Sequence, residues 1–136
     1  MRVSGRVVSG MGAWRPRIER FPEVFYRGLG ERIFPGTLNV ELDCVLPIRE
    51  EIRILGAEIE EPEQDMLFER CFIEGVAAFR LRPYQPANGF GGHGDHILEI
   101  VSAQELRPLL REREIVSVEF PHRDSSELKP RPADRT

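Results

Sequence analysis

The stretch that decides the fold of this 136-residue chain is Phe34-Pro35-Gly36-Thr37-Leu38-Asn39-Val40-Glu41-Leu42-Asp43. A Pro-Gly turn leads directly into alternating apolar and polar residues, which predicts a β-strand with one face in a core. Leu38, Val40 and Leu42 are expected to point into that core. Thr37 and Asn39 then leave the strand on the opposite face, two positions apart.

Thr37 and Asn39 place a hydroxyl and an amide oxygen side by side. Neutral oxygen ligands of this kind suit a hard cation that keeps most of its waters, such as Mg²⁺ carrying a nucleotide phosphate. A hairpin strand with a polar outer face explains the same two residues. The pair by itself therefore leaves both interpretations open.

Composition indicates one globular domain of ordinary size. Hydrophobic residues make up 40% of the chain and charged residues 31%, and no apolar run approaches the roughly 20 residues of a membrane span. The net charge of −4 argues against general nucleic-acid binding, because no basic block offsets it. We therefore expect a cytoplasmic protein that binds neither nucleic acid nor membranes.

Two residue types narrow the chemistry further. Lys129 is the only lysine, so any neutralisation of phosphate charge must come from arginine, backbone amides or a metal ion. Cys44 and Cys71 lie far apart and lack metal-ligand spacing. We expect two buried thiols and neither a disulfide nor a metal site.

The remaining pattern predicts many short strands and two short helices. Strands are expected at residues 2–9, 38–45, 48–55, 66–81 (one or two strands around Glu74-Gly75), 97–101 and 115–120, helices at 20–29 and 103–110, and loops at 58–65 and 83–94. This order indicates a compact, mainly β, barrel-like domain with small helices over its ends. The domain is expected to span residues 1–120, followed by a polar, flexible tail at 121–136.

The segment Ser9-Gly10-Met11-Gly12 follows the first predicted strand. Its glycines would allow backbone N–H groups to converge on an anion, and Arg15 and Arg17 lie just downstream, where they could clamp phosphate oxygens. A tight turn without a binding role explains the same pattern. The segment is neither a Walker loop nor a dinucleotide-binding fingerprint.

Two further segments carry groups that can titrate. Glu99 interrupts an apolar strand, which makes it either a partly buried carboxylate that contacts a ligand or an ordinary edge-strand glutamate. His93-Gly94-Asp95-His96 has the residue types of a metal or acid-base cluster. Because no distant His or Cys set accompanies this segment, a flexible surface loop is the preferred interpretation.

Taken in chain order, these segments resemble a known family, the archaeal-type CTP-dependent riboflavin kinases. Residues 5–12 (GRVVSGMG) resemble its GxVVSGLG opening, residues 34–43 (FPGTLNVELD) its PYxGTLNLxLD segment, and residues 97–107 (ILEIVSAQELR) its IIEIIAPxxLR segment. Residues 115–118 resemble its closing strand. The match spans residues 3–120, and Gly-Thr-Leu-Asn is its most specific part.

The resemblance implies a six-stranded cradle-loop (RIFT-like) β-barrel with short covering helices. It also implies transfer of the γ-phosphoryl group of CTP to the 5′-hydroxyl of riboflavin, giving FMN and CDP with Mg²⁺ as cofactor. CTP and riboflavin would then be the small-molecule partners. Phosphoryl transfer depends on positioning and charge neutralisation, so it needs no covalent nucleophile.

Roles for individual residues follow from the matched motifs. The resemblance implies that Thr37 and Asn39 hold Mg²⁺ and that Glu99 contacts the flavin. Asn39 and Glu99 are the expected catalytic residues, with Glu99 the leading candidate for a general base. The nucleotide-binding residues fall into two segments, a phosphate cradle and a cytidine contact: Gly10, Met11, Gly12, Ala13, Trp14 and Arg15, and then Gln104, Glu105, Leu106 and Arg107.

The chain departs from the family pattern at the edges of the expected site. The third glycine and the acidic residue of the family's first loop are missing after Gly12. The flavin-contacting threonine of its PxxT segment has no counterpart in residues 79–84, and a longer glycine-rich loop follows. A non-catalytic nucleotide- or flavin-binding module, or a kinase with a different acceptor, is therefore the alternative on the same barrel.

Overall fold

Six antiparallel strands close into a barrel in this computed structural model, which describes residues 1–10, 12–91, 93–110 and 113–132. The barrel strands are β1 (Arg2–Val8), β2 (Leu38–Glu41), β5 (Asp65–Ile73), β6 (Val76–Gln85), β8 (Ile97–Val101) and β9 (Ile115–Glu119). They follow one another in the order β5, β9, β1, β2, β8, β6, and the pairing of β6 with β5 closes the ring. The predicted mainly β, six-stranded barrel is confirmed.

Four shorter strands flank the barrel. β4 (Ile52–Ile54) pairs with β5, β7 (Gly89–Phe90) pairs with β6, and β3 (Cys44–Val45) pairs with β10 (Lys129–Pro130). The predicted strand 38–45 is thus divided into β2 and β3, and the predicted strand 48–55 shortens to β4. The division occurs at Leu42, whose N–H donates at 2.7 Å to the carbonyl of His96.

The longest hairpin joins β5 and β6, so the segment 66–81 contains two strands. The chain turns at Glu74 and Gly75, whose φ angles are 46° and 78°. The left-handed region suits glycine, which carries no Cβ. Because β6 continues to Gln85, the first part of the predicted loop 83–94 is strand.

Three short helices cover the barrel: α1 (Arg15–Arg20), α2 (Pro22–Leu29) and α3 (Leu106–Leu110). The predicted helix 20–29 is therefore preceded by a separate helix. The chain breaks at Phe21 because Pro22, which cannot donate a backbone hydrogen bond, starts the next helix. No helix in the described part of the chain has both the length and the apolar composition needed to cross a membrane.

Apolar side chains form two clusters. One fills the barrel and contains Leu38, Val40 and Leu42, which are 2%, 0% and 0% exposed, as their alternation predicted. The second lies between the barrel wall and helices α1 and α2, and includes Phe25 and Phe68. These two rings meet edge to face, with centroids 6.4 Å apart.

The residues after position 120 make specific contacts with the barrel as far as the structure describes them. The buried Arg123 donates from Nη1 to both oxygens of Glu69, at 3.1 and 3.2 Å, and to the carbonyl of Pro47 at 2.7 Å. Composition had predicted a flexible tail from residue 121. It did not reveal this anchor, because the partner Glu69 lies 54 positions earlier in the chain.

Candidate functional site

A cavity of about 610 Å³ opens beside β2 and β8, within the about 300 to 1,000 Å³ of typical ligand pockets. Its walls come from the end of β1, the following glycine loop, the start of α1 and the loop before β8. Five of the site residues that the resemblance implies line it, namely Gly10, Ala13, Trp14, Asn39 and Glu99, and Arg17 and His93 line it as well. We call it the Asn39–Glu99 cavity.

Asn39 lies on β2 between its two neighbouring strands, opposite Val8 of β1 and Glu99 of β8. Its side chain is 6% exposed, and its Oδ1 accepts no hydrogen bond from any residue that the structure describes. A buried acceptor is normally satisfied, since leaving one unpaired is costly. Because Asn39 lines the cavity, a ligand hydroxyl or a cation could complete this acceptor.

The glycine loop packs directly on Asn39. A Cβ atom at Gly10 would lie 1.7 Å from Nδ2 of Asn39, so only glycine permits the backbone to approach this closely. Gly12 has a φ of 65°, in the left-handed region. Glycine is therefore required at each of the two positions for a different steric reason. Met11, which lies between them, is outside the described residues.

Glu99 is buried, which agrees with the first of its two sequence interpretations. The residue is 8% exposed, and its Oε1 accepts a hydrogen bond from Nε1 of Trp14 at 3.0 Å. His93 approaches the same oxygen, with its Nε2 at 3.4 Å. The carboxylate is thus held from two sides at the cavity wall.

Trp14 is supported from behind by Arg17. The guanidinium carbon of Arg17 lies 4.9 Å from the centre of the indole ring, within the range of a cation–π contact. Arg17 also forms two hydrogen bonds with Glu61, at 2.6 and 2.7 Å, and these raise the pKa of Arg17. Its charge is already neutralised, so Arg17 supports Trp14 and is not free to clamp phosphate.

Thr37 lines a different and smaller hollow of about 110 Å³. The strand β2 begins one residue later, at Leu38, so Thr37 lies at its entrance. The hollow also gathers Arg15 and the segment Glu105–Arg107. We call it the Thr37 hollow; it brings the first and last of the predicted nucleotide-binding segments together.

The side chains of that last segment point in different directions. Glu105 and Arg107 are exposed, whereas Leu106 is 5% exposed and packs in the barrel cluster. Gln104 is exposed and lines neither the Asn39–Glu99 cavity nor the Thr37 hollow. Arg107 also borders an open groove of about 790 Å³, together with Arg113.

His93 is a residue that sequence reasoning did not place in the site. The buried Arg82 of β6 holds its loop by donating from Nη2 to the carbonyls of Gly91 and His93, at 3.2 and 2.5 Å, and by pairing through Nη1 with Asp95. The signals in the sequence were the His93-Gly94-Asp95-His96 segment itself and the two arginines, Arg80 and Arg82, inside the otherwise largely apolar strand β6. Among the described residues, no group of three or more His, Cys, Asp or Glu forms a metal site.

A larger cavity of about 850 Å³ lies elsewhere on the barrel, beside the Glu69–Arg123 pair. None of the site residues predicted from the sequence lines it. Two of its three carboxylates, Glu51 and Glu69, are paired with Arg70 and Arg123. We therefore place the candidate site in the Asn39–Glu99 cavity, on its chemistry and not on its size.

Comparison with curated proteins finds a riboflavin kinase from Staphylothermus marinus that is 27% identical to this chain over 124 residues. The aligned region covers 87% of this chain and 90% of that protein. No family model matches the chain. The relative is archaeal, and it confirms what the motifs indicated: the chain is related to the archaeal riboflavin kinase family.

Proposed function

We propose that this protein transfers the γ-phosphoryl group of CTP to the 5′-hydroxyl of riboflavin, giving FMN and CDP with the assistance of Mg²⁺. The observation that carries the proposal is the buried Oδ1 of Asn39, which no described residue satisfies. Asn39 lines a ligand-sized cavity, and Glu99, whose carboxylate is held in place, lies opposite it on β8. The archaeal riboflavin kinase that aligns with most of the chain supports the choice of acceptor.

The two substrates would approach β2 from different sides. Riboflavin would occupy the Asn39–Glu99 cavity, and the nucleotide would occupy the Thr37 hollow and the groove beside it. Arg15 and Arg107 border that hollow. Arg15 is paired with Glu19 at 2.9 Å on an exposed surface, so Arg107 would supply most of the positive charge for the phosphates. Because residues i and i+2 of a strand are about 7 Å apart, Thr37 and Asn39 would flank the phosphoryl group that moves between the substrates.

Thr37 and Asn39 also fit the chemistry of a Mg²⁺ site. Both offer neutral oxygens, and the amide oxygen of Asn39 is buried without a partner among the described residues. Bound there with the nucleotide, Mg²⁺ would neutralise phosphate charge and favour transfer. The protein itself would contribute the position of both oxygens: β2 fixes Asn39 by pairing with strands on either side, and Thr37 directly precedes that strand.

Glu99 and the glycine loop would orient the reacting groups. The carboxylate of Glu99 would accept a hydrogen bond from the flavin, because its Oε1 is held by Trp14 while no described residue donates to Oε2. The backbone of the glycine loop, fixed against Asn39, would donate N–H groups to the phosphates. Positioning of this kind accounts for a large part of the rate in phosphoryl transfer.

A direct test incubates the purified protein with riboflavin, Mg²⁺ and each nucleoside triphosphate in turn, and separates the products by HPLC. FMN that appears with CTP, and disappears when EDTA is added, supports the proposal. FMN formed with ATP and not with CTP would overturn the assigned donor. If folded protein forms no FMN with any nucleotide, the kinase proposal is wrong. If that protein nevertheless binds riboflavin, the alternative of a non-catalytic flavin-binding module is supported.

A further inference from the structure

The glycine-rich loop before β8 brings a histidine onto the candidate substrate-binding carboxylate. Nε2 of His93 lies 3.4 Å from Oε1 of Glu99, and the imidazole lines the Asn39–Glu99 cavity. Its other nitrogen, Nδ1, lies 3.3 Å from the carbonyl of Gly94. Each ring nitrogen therefore lies within 3.4 Å of an oxygen atom.

The two contacts made by Glu99 fall on the same oxygen. Trp14 donates to Oε1 at 3.0 Å, and His93 approaches that atom from the loop. A carboxylate has about four acceptor positions on its two oxygens. Trp14 and His93 both lie against Oε1, and no described residue donates to Oε2, so the positions on Oε2 are left for a ligand in the cavity.

The position of His93 is held by a buried arginine of the barrel wall. Arg82 is 3% exposed and holds the loop on both sides of the histidine, through the carbonyls of Gly91 and His93 and the carboxylate of Asp95. The guanidinium also lies 4.8 Å from the ring centre of Phe90 at the start of the loop. A loop tied at several points to one buried side chain presents His93 in a defined place.

We propose that His93 is a positioning residue for the acceptor substrate. Together with Trp14 it holds Oε1 of Glu99, so that Oε2 accepts a hydrogen bond from a hydroxyl or imide N–H group of the acceptor. The inference rests on the proposed kinase function. Beyond that function, the inference names the kind of substrate group that Glu99 binds, a hydroxyl or imide N–H, and names His93 as the residue that orients Glu99.

The test compares His93→Ala with His93→Gln, whose amide N–H group can reach the same carboxylate and donate to Glu99. A polar contact with a charged group changes an equilibrium by about ten- to a hundredfold, and the 3.4 Å contact of His93 with Glu99 belongs at the weak end. We expect His93→Ala to lower kcat/KM for riboflavin about tenfold while the KM for the nucleotide stays unchanged. His93→Gln should recover most of the loss, and His122→Ala, an exposed histidine outside the cavity, is the control.

A double-mutant cycle separates positioning from a general structural role. If His93 acts through Glu99, the tenfold effect of His93→Ala should vanish in a Glu99→Gln background. Additive losses in the double variant would overturn the inference. So would a loss in His93→Ala that falls on the nucleotide KM and leaves the riboflavin KM unchanged.

Equilibrium binding keeps this inference distinguishable from the proposed function. Riboflavin is titrated with wild-type and variant protein, and its own fluorescence reports binding without turnover. If the wild type binds riboflavin but forms no FMN, the kinase proposal fails, and a tenfold weaker Kd in His93→Ala still supports the positioning role. An unchanged Kd in that variant, or no riboflavin binding by the wild type, overturns the role of His93.

Discussion

Asn39 combines near-complete burial with an amide oxygen that no residue in the described ranges uses. Asn88 provides the opposite case, because it lies exposed in a turn and donates to its neighbour Gln85 at 2.9 Å. A buried acceptor such as that of Asn39 lowers the stability of the fold unless a ligand or ion binds to it, whereas the hydrogen-bonded, exposed amide of Asn88 has no such cost. At the scale of single residues, this contrast is the clearest mark of a binding site in the barrel.

Replacing Asn39 should therefore abolish FMN formation while the protein still folds. We expect Asn39→Ala to lower FMN formation by about two orders of magnitude, because a metal ligand and its share of charge neutralisation are lost. The free energy of unfolding should change by about 1 kcal/mol or less, since Oδ1 has no partner to lose among the described residues. HPLC and thermal unfolding measure the two effects, with Asn88→Ala as the matched control. Full activity in Asn39→Ala would contradict the metal assignment.

At the scale of elements, the C-terminal segment acts as an anchored part of the barrel. Arg123 neutralises Glu69, whose carboxylate is 1% exposed and also accepts the N–H of Arg49 at 3.0 Å. Burial raises the pKa of Glu69, and the contacts with Arg49 and Arg123 oppose that rise. The segment after residue 120 thus keeps a charge inside the barrel compensated.

Removing this compensation should destabilise the protein. We expect Arg123→Met to lower the free energy of unfolding by about 3 to 5 kcal/mol, because a buried carboxylate loses its partner. With a folded-state pKa of Glu69 raised above the unfolded value, the native state binds the extra proton, so stability falls as pH rises. The loss should therefore be smaller at pH 5 than at pH 7.5.

Urea unfolding of Arg123→Met, Glu69→Gln and the double variant tests this coupling. The double variant should recover part of the loss seen in Arg123→Met, because the neutral amide needs no counter-charge. If the two single losses simply add in the double variant, Arg123 does not act through Glu69.

Strong periodicity made most of the elements predictable from the sequence. The alternation of Leu38, Val40 and Leu42 gave the inward face of β2 correctly, and the apolar run at residues 97–101 gave β8. Helix α1 was not predicted, because its six residues contain only one buried side chain, Ile18, and therefore show no apolar period.

The candidate site was predictable only in part. Asn39 and Glu99 share the cavity wall as their motifs suggested, and Thr37 lines a neighbouring hollow. The contact of His93 with Glu99 depends on a loop tied to Arg82, and local sequence carries no sign of it. Contacts that form only when the barrel closes join residues far apart in the chain, so they cannot be predicted from any short segment of the sequence.

At the scale of the whole molecule, the barrel interior carries charge as well as apolar side chains. Arg80 is fully buried, and none of its guanidinium nitrogens donates a hydrogen bond to a residue within the described ranges. Burial lowers the pKa of Arg80 to about 10, while the nearby Glu69 opposes the shift. Arg82, two positions along the same face of β6, makes several hydrogen bonds and provides a comparison.

The two arginines should respond differently to the same substitution. We expect Arg80→Met to leave the free energy of unfolding within about 1 kcal/mol of wild type or to raise it, because a desolvated charge is replaced by an apolar chain of similar length. Arg82→Met should lower it by about 1 to 3 kcal/mol, since Asp95 and two carbonyls lose their donor. Thermal unfolding of both variants measures the difference, and a greater loss in Arg80→Met than in Arg82→Met would refute it.

Trp14 is the only tryptophan of the chain, and its indole nitrogen bonds to the carboxylate that faces the cavity. Its ultraviolet emission therefore comes from one place, the wall of the candidate site. A flavin absorbs at the wavelengths where indole emits, so a flavin entering the cavity would quench that emission, whereas unfolding would shift its colour. The molecule thus carries an internal optical probe that distinguishes an occupied site from a lost fold without any added label.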